Sequence, residues 1–494
     1  MATPRLAFSL FTLFLILATG SAHARQATEA RAAWQVLRYD LSASVNAAER
    51  ALVGRAVISA RNVGEGAGRS LTVRLNPAAT VTSAKAGDAA AAVSARKDER
   101  TNLLVATLTL PATVAPGATT TVTVEYRLPV AENSGFASVS PEGAQFLPPS
   151  FWYPTPNTVV APRGADYAPS RLSVTAAGGE TILSAGRSTA DGFEQPLYGQ
   201  PFFLAGRWET VEGAGEARGV SAHLQAGAGA DERQRAEALV ALAADARKFY
   251  AGLLGPAPET QVRLVGVRRG AGFEMAGTLL VDHAVFRRTK TDSVTALQIA
   301  EAVARLWVGG ARGIEGAGAG AVREGLPRFL ATLFLEQQFG RDVADKERTR
   351  IAVQYAPYAR RDASLAENSP ALETYFNTAA NKGALVWRIV MNAVGRDPFL
   401  AALRRELSKE GAGQVSLASL RAALAEGGAA GFAQLLAGLF DKPTDTDLLV
   451  GLPQARGAAQ AVALRNMGSF DVDVAVQATT DGGQRLSARA RVPA

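Results

Sequence analysis

Apolar and polar residues alternate in short runs over the N-terminal part of the chain. Leu71–Leu75, Leu103–Leu110 and Thr121–Leu128 each turn every second side chain to one apolar face, and Gly, Pro and Asn clusters separate them. This period predicts half-buried antiparallel strands from about Trp34 to Thr210. Between Phe146 and Asn157, Pro and aromatic side chains crowd together, which excludes a helix and predicts a rigid extended segment where this region meets the next. From Asp231 the period lengthens to that of a helix. Helices are expected at Asp231–Leu254 (with Asp231 as N-cap), Asp292–Trp307, Glu324–Phe339, Asn381–Val394, Pro398–Leu407 and Leu417–Phe440, with a strand at Gln261–Val267. Pro327 fits because it falls in a first turn. The Ala/Gly-rich run Gly309–Gly320 carries no packing signal. After Pro443 the alternation returns, at Ala461–Leu464 and Phe470–Val476.

A chain of 494 residues is too long for one compact core. The pattern divides it into a leader at 1–24, a β domain at 25–212, a mostly helical domain with some strand at 213–442 and a short β segment at 443–494. The leader has Arg5, an apolar run from Leu6 to Ala18 and the small-x-small triplet Ala22-His23-Ala24. Those are the parts of a secretory signal peptide cut after Ala24, and the run is too short to span a bilayer. The expectation is an exported protein, periplasmic or secreted, with no membrane span in the mature chain.

Hydrophobic residues at 48% and charged residues at 20% describe a chain that folds rather than one that stays disordered. The net charge of +7 comes from Arg and Lys scattered along the chain, without a basic block or an aromatic-laced stripe, so nucleic acid is not expected as a partner. Cys is absent, and His occurs only as His23, His223 and His283. These counts exclude disulfide scaffolds, thiolate metal clusters and Cys nucleophiles, and leave little from which to build a transition-metal site. The run Gly309–Gly320 lacks the Lys-Ser/Thr end of a phosphate loop, which argues against a nucleotide site.

Three stretches carry a likeness: Ala271-Gly-Phe-Glu-Met-Ala-Gly277, Ile299-Ala-Glu-Ala-Val-Ala-Arg-Leu-Trp-Val-Gly309, and Val322-Arg-Glu-Gly-Leu326. Together they resemble the aminopeptidase N-type zinc metallopeptidases, the gluzincin family that includes the leukotriene hydrolases. In that family a Gly-x-Met-Glu-Asn loop precedes a helix bearing His-Glu-x-x-His-x-Trp-x-Gly, and a Glu-Gly pair follows after 18 residues. Here residues 306 to 323, also 18, separate Arg305 from Glu324. Trp307 and Gly309 match the tail of the motif. Asn381-Lys-Gly-Ala-Leu-Val386 is similar to the family's Tyr-x-Lys-Gly-Ala segment, and the Pro/aromatic run around Trp152 also suits it. The likeness covers nearly all of the chain after the leader. It implies a saddle-like antiparallel β domain followed by a thermolysin-like helical domain.

The departures from the family pattern fall on the chemistry. Glu301 stands at the first zinc-ligand position, Ala302 at that of the water-activating Glu, and Arg305 at the second ligand position; only Glu324 matches. The transition-state Tyr falls on Ala380, and the Asn after the amine-binding Glu on Met275. Zinc takes imidazole, thiolate or carboxylate ligands, and a permanently cationic Arg repels it. No catalytic residue and no metal are therefore expected. Arg305 is expected instead to bridge Glu301 and Glu324, at the favourable i, i+4 spacing in the first case, as a structural replacement for the metal. Glu274 matches the family carboxylate that grips a peptide's free α-amine. The leading expectation is a non-catalytic pseudopeptidase that binds peptide N-termini or an exported protein partner. Two alternatives stand beside it: an active metallo-aminopeptidase with zinc or an atypical metal set, and a purely structural subunit.

Overall fold

The N-terminal alternation becomes sheet in the computed structural model, which describes residues 31–156, 166–176, 178–409, 414–426, 431–443, 448–457, 459–468, 471–480 and 482–493. The leader expected at 1–24 and its cleavage site lie outside the described residues. Eight strands form the largest sheet, in the order Arg187–Thr189, Gly192–Gly199, Ala168–Thr175, Trp34–Asn46, Ala51–Asn62, Thr119–Pro129, Thr80–Ala86, Ala89–Ala90. Along Ala51–Asn62, Leu52, Ala56, Ile58 and Ala60 are buried while Arg55 and Arg61 face solvent, as a period of two requires. Gly54 lies on the buried face because Tyr126 of the neighbouring strand packs across it; a Cβ there would sit 2.2 Å from the ring. The expectation of a wholly antiparallel domain needs one correction. Trp34–Asn46 and Ala168–Thr175 run parallel, which the long crossover between them permits. Smaller sheets of three and four strands complete this region.

The Pro/aromatic run departs from a simple extended path. Pro148–Ser150 forms a 3-10 turn, and Phe151, Trp152 and Tyr153 plunge into the β core. Trp152 meets Tyr153 and Phe203 edge to face, with ring centroids 4.9 and 5.3 Å apart, and its Nε1–H donates to the Pro201 carbonyl at 3.2 Å. Leu147, just ahead of the turn, joins Phe202, Leu204, Val265, Val267 and Leu280 in a small cluster that ties this region to the next sheet.

That next sheet has five strands, in the order Trp208–Glu212, Val220–Gln225, Val262–Val267, Thr278–Asp282, Glu274–Met275. It straddles residue 212, because its edge strand precedes that point and its other members follow. Eight helices with α-helical hydrogen bonding stand among the described residues: α1 Ala230–Leu254, α2 Ser293–Ala304, α3 Leu326–Phe339, α4 Arg341–Tyr355, α5 Gly383–Val394, α6 Arg396–Leu407, α7 Leu417–Ala425 and α8 Phe432–Asp441. Their apolar faces share one core, which includes Leu239, Tyr250, Phe329, Trp387 and Phe399.

Several boundaries differ from expectation. Gly229, not Asp231, caps α1, and its N–H donates to Glu232 at 3.0 Å. Helix α4 escapes the periodicity reading because charged residues dominate it and only Ala344, Ile351 and Tyr355 bury apolar side chains. The expected helix Leu417–Phe440 divides into α7 and α8, and the expected strand Ala461–Leu464 divides between Ala459–Ala461 and Leu464–Asn466. The run Gly309–Gly320 does pack, since Ile314 is buried and Ile314–Glu315 pairs with Val415–Ser416. Among the described residues no helix is long and apolar enough to cross a membrane.

Candidate functional site

Helix α2 starts cleanly, with the Asp292 carboxylate accepting the Thr295 N–H at 2.8 Å. Its last turn is buried on nearly every side, which draws Glu301 inside with it. The helix stops at Ala304, short of the expected Trp307, and tighter hydrogen bonds from Leu306 to Val303 and from Trp307 to Ala304 turn the chain at Arg305. A π-turn, Ala321–Gly325, then brings Glu324 opposite Arg305 and leads into α3. A second π-turn, Asn377–Lys382, leads into α5. The two segments cross at glycines. A Cβ on Gly325 would lie 2.7 Å from the Ala379 carbonyl and 2.9 Å from the Gly383 Cα, so any side chain there would push Glu324 away from α2.

Arg305 is the hub of what results. Its Nε lies 2.9 Å from Glu274 Oε2, and its Nη2 lies 2.9 Å from both Glu301 Oε1 and Glu324 Oε2. Nη1 donates to the Arg323 carbonyl at 2.8 Å. Glu301 has a second cation, Arg328, whose Nε donates to its Oε2 at 3.0 Å while Nη1 donates to Asn381 Oδ1. All five charged side chains are at most 18% exposed. Fully ionised, three carboxylates and two guanidinium groups leave one negative charge over.

Burial opposes ionisation of Glu301, but Arg328 and Arg305 outweigh it and hold the carboxyl below its ordinary range. Burial likewise opposes the charge on Arg305, and Glu324, Glu274 and Glu301 more than reverse that. Glu274 goes the other way, and burial pushes it up to about 8. Arg305 pulls it down, yet that cation is shared three ways, and Glu301 and Glu324 push upward. Its Oε1 is buried without a hydrogen-bond partner, the backbone N–H of Gly277 giving only slight relief. The surplus charge therefore gathers on Glu274.

Around this cluster opens a cleft of about 1090 Å³, walled in part by Phe273, Met275, Leu306, Tyr167 and Phe376. Glu274, Glu301, Arg305 and Glu324, named from the sequence, all line it. Ala302 forms a buried piece of the wall, and Ala380 is fully buried in the second π-turn. Methyl groups at these two positions offer neither a base nor a hydroxyl. His223 is buried in the five-stranded sheet between Thr210 and Ser221, 3.2 and 3.1 Å from its ring nitrogens, and burial pushes it down to about 4. His283 sits in the short turn His283–Arg287. Neither joins the cluster. Sequence reading missed Arg328, Asn381, Arg323 and the half-exposed Phe376, over whose ring Arg328 lies at 5.4 Å. For Arg328 a signal existed, one turn beyond Glu324 on the same helical segment.

The residues present do not fit a zinc ion. A zinc site needs three or four converging N, S or O ligands, and the point where these carboxylates converge is taken by a guanidinium that stays protonated. Among the described residues no group of three or more His, Asp or Glu stands at metal-holding spacing.

The chain has the fold of the M1 zinc metallopeptidases. The M1 zinc metallopeptidase from Deinococcus radiodurans superposes with a TM-score of 0.58 at 16% identity, over 82% of this chain and 93% of that one. A mutant of the same protein bound to a Tyr-Ser-Ala substrate gives 0.56 at 17%, over 82% and 94%. A two-domain M1 zinc metallopeptidase mutant bound to L-arginine gives 0.56 at 16%, over 82% and 93%. No protein-family profile matches the chain, and no curated protein matches it. The similarity is one of fold: a β domain, a helical domain with its small sheet, and C-terminal strands.

Proposed function

We propose that this protein is an exported, non-catalytic pseudopeptidase that binds short peptides by their N-terminal amine. One observation carries the reading: Arg305 occupies the convergence point of three carboxylates while Glu274, the one it compensates least, lines an open cleft of about 1090 Å³. A carboxyl group in excess of the cations around it, holding a proton up to about pH 8, suits a monovalent cation with N–H groups to donate in that proton's place, and a peptide α-ammonium is one. Ala302 provides no proton acceptor for water, so the ligand is held and not cut. The solved M1 structures with a tripeptide substrate and with L-arginine agree with a ligand of this size. A purely structural subunit has no need of an open cleft with an unmatched charge.

The test is elemental analysis of the purified mature protein beside an aminopeptidase panel and peptide calorimetry. The reading expects zinc far below one per chain, no turnover, and saturable tripeptide binding that N-acetylation removes. Stoichiometric zinc with chelator-sensitive turnover would sink it in favour of an active metallo-aminopeptidase. The triple variant Glu301→His, Ala302→Glu, Arg305→His rebuilds the ligand set, and tight zinc binding by that variant alone marks Arg305 as the group that excludes the metal.

A further inference from the structure

Four arginines line the cleft, and three are spoken for. Arg187 pairs with Glu194 at 2.7 Å, Arg305 with three carboxylates, and Arg328 with Glu301 at 3.0 Å. Arg323 is different. It lines the same cleft, and among the described residues it has no carboxylate partner. Its Nη2 donates to the Ile314 carbonyl at 2.8 Å, and its guanidinium lies over the Tyr167 ring at 5.7 Å. These two contacts fix the planar group and leave most of its five donors unused. A half-buried, oriented guanidinium of this kind is a receptor for a carboxylate, which it meets with two parallel hydrogen bonds.

We infer that Arg323 binds the C-terminal carboxylate of the ligand, so that the cleft selects short zwitterionic peptides by both ends and by length. The inference rests on the amine-binding reading for Glu274 and adds a second anchor to it. The two anchors have a built-in ruler. Arg305 touches Glu274 with one nitrogen and the Arg323 carbonyl with another, at 2.9 and 2.8 Å. Ordinary bond lengths then keep the Arg323 guanidinium within about 15 Å of Glu274, a span for at most about four extended residues. Longer peptides carry their carboxylate past Arg323 and gain nothing from it. Tyr167, 38% exposed, covers one face of the guanidinium and lines the same cleft.

The experiment is isothermal calorimetry of the full-length mature protein with trialanine, N-acetyl-trialanine and hexa-alanine, each as the acid and as the C-terminal amide. Wild type is expected to bind the amide about tenfold more weakly than the acid, the loss of one charge-assisted contact. Arg323→Gln, checked for an unchanged melting temperature, levels acid and amide, while Arg323→Lys restores part of the preference. Hexa-alanine shows no difference between acid and amide. Equal binding of trialanine acid and amide by wild type overturns the inference and, if N-acetylation still abolishes binding, leaves the amine reading intact. A preference for the acid that survives N-acetylation keeps Arg323 and removes the amine reading. Absence of binding by every peptide overturns both.

Discussion

Two buried ion clusters stand in the helical region, and their contrast separates structure from function. Lys382 and Asp362 pair at 2.7 Å with side chains only 4% and 1% exposed, and the Tyr355 hydroxyl donates to the same Asp362 oxygen at 2.6 Å. One cation meets one anion, and neither lines the cleft around Arg305. The Arg305 cluster sets two cations against three carboxyl groups, one of which, Glu274, ionises only near pH 8, beside a cleft of about 1090 Å³. Each cluster leaves a carboxylate oxygen without a hydrogen bond, Asp362 Oδ1 in one and Glu274 Oε1 in the other. Of the two residues, Glu274 is the one that lines the cleft. A carboxylate matched by its own cation is packing; a carboxyl group in excess of the cations around it and lining a cleft is a request for one.

The largest effect is expected from Arg305→Met. It strands three carboxylates with Arg328 alone, and removing one partner from a buried ionic cluster costs about 3–5 kcal/mol. Urea denaturation reads this directly, and adding Glu274→Gln with Glu324→Gln should recover most of the loss. A cost below about 1 kcal/mol would mean that water, not Arg305, answers those carboxylates. Lys382→Met comes next, at about 3 kcal/mol, since the Tyr355 hydroxyl still supports Asp362. The double change Lys382→Met with Asp362→Leu should return to within about 1 kcal/mol of wild type and leave peptide binding untouched. If that double change weakens peptide binding, the sealed pair belongs to the site and the contrast fails.

The sequence made the hub legible and its surroundings obscure. The i, i+4 pair Glu301 and Arg305 and the later Glu324 lie in a recognisable register, so their meeting follows from helix geometry plus one long-range match. Arg305 touching Glu274 does not follow, because Glu274 lies on the edge strand Glu274–Met275 of the five-stranded sheet, and no periodicity encodes how that strand sits against α2. Arg323 was hidden by the π-turn Ala321–Gly325, whose extra residue per turn shifts side chains around the axis, whereas Arg328, one turn beyond Glu324, was open to reading. The strands were legible where one face is buried, as in Ala51–Asn62. They blurred where both faces meet solvent, as in Leu464–Asn466.

The smallest effect is also the most specific, because it isolates Glu274. Its pKa stands at about 8 in the folded protein against an ordinary 4.5, so between those values the folded chain keeps a proton that the unfolded chain has lost. Stability then falls as pH rises through that window, by up to about 1.4 kcal/mol per unit, and levels off above pH 8. His223 works in the opposite sense. Depressed to about 4 from 6.5, it makes stability rise with pH up to 6.5, so the two nearly offset each other in mild acid. Glu301, held below its ordinary range, adds a loss of stability only at more acid pH, as it takes up its proton. From pH 6.5 to 8 the decline belongs to Glu274. Glu274→Gln should abolish it, gaining on wild type across that interval while His223 keeps its own rise below it. A saturating tripeptide should flatten the same decline in wild type, since a bound ammonium holds Glu274 ionised in place of the proton. If the slope from pH 6.5 to 8 survives Glu274→Gln, the surplus charge of the cluster resides on another carboxylate, and the amine pocket must be sought beside that one.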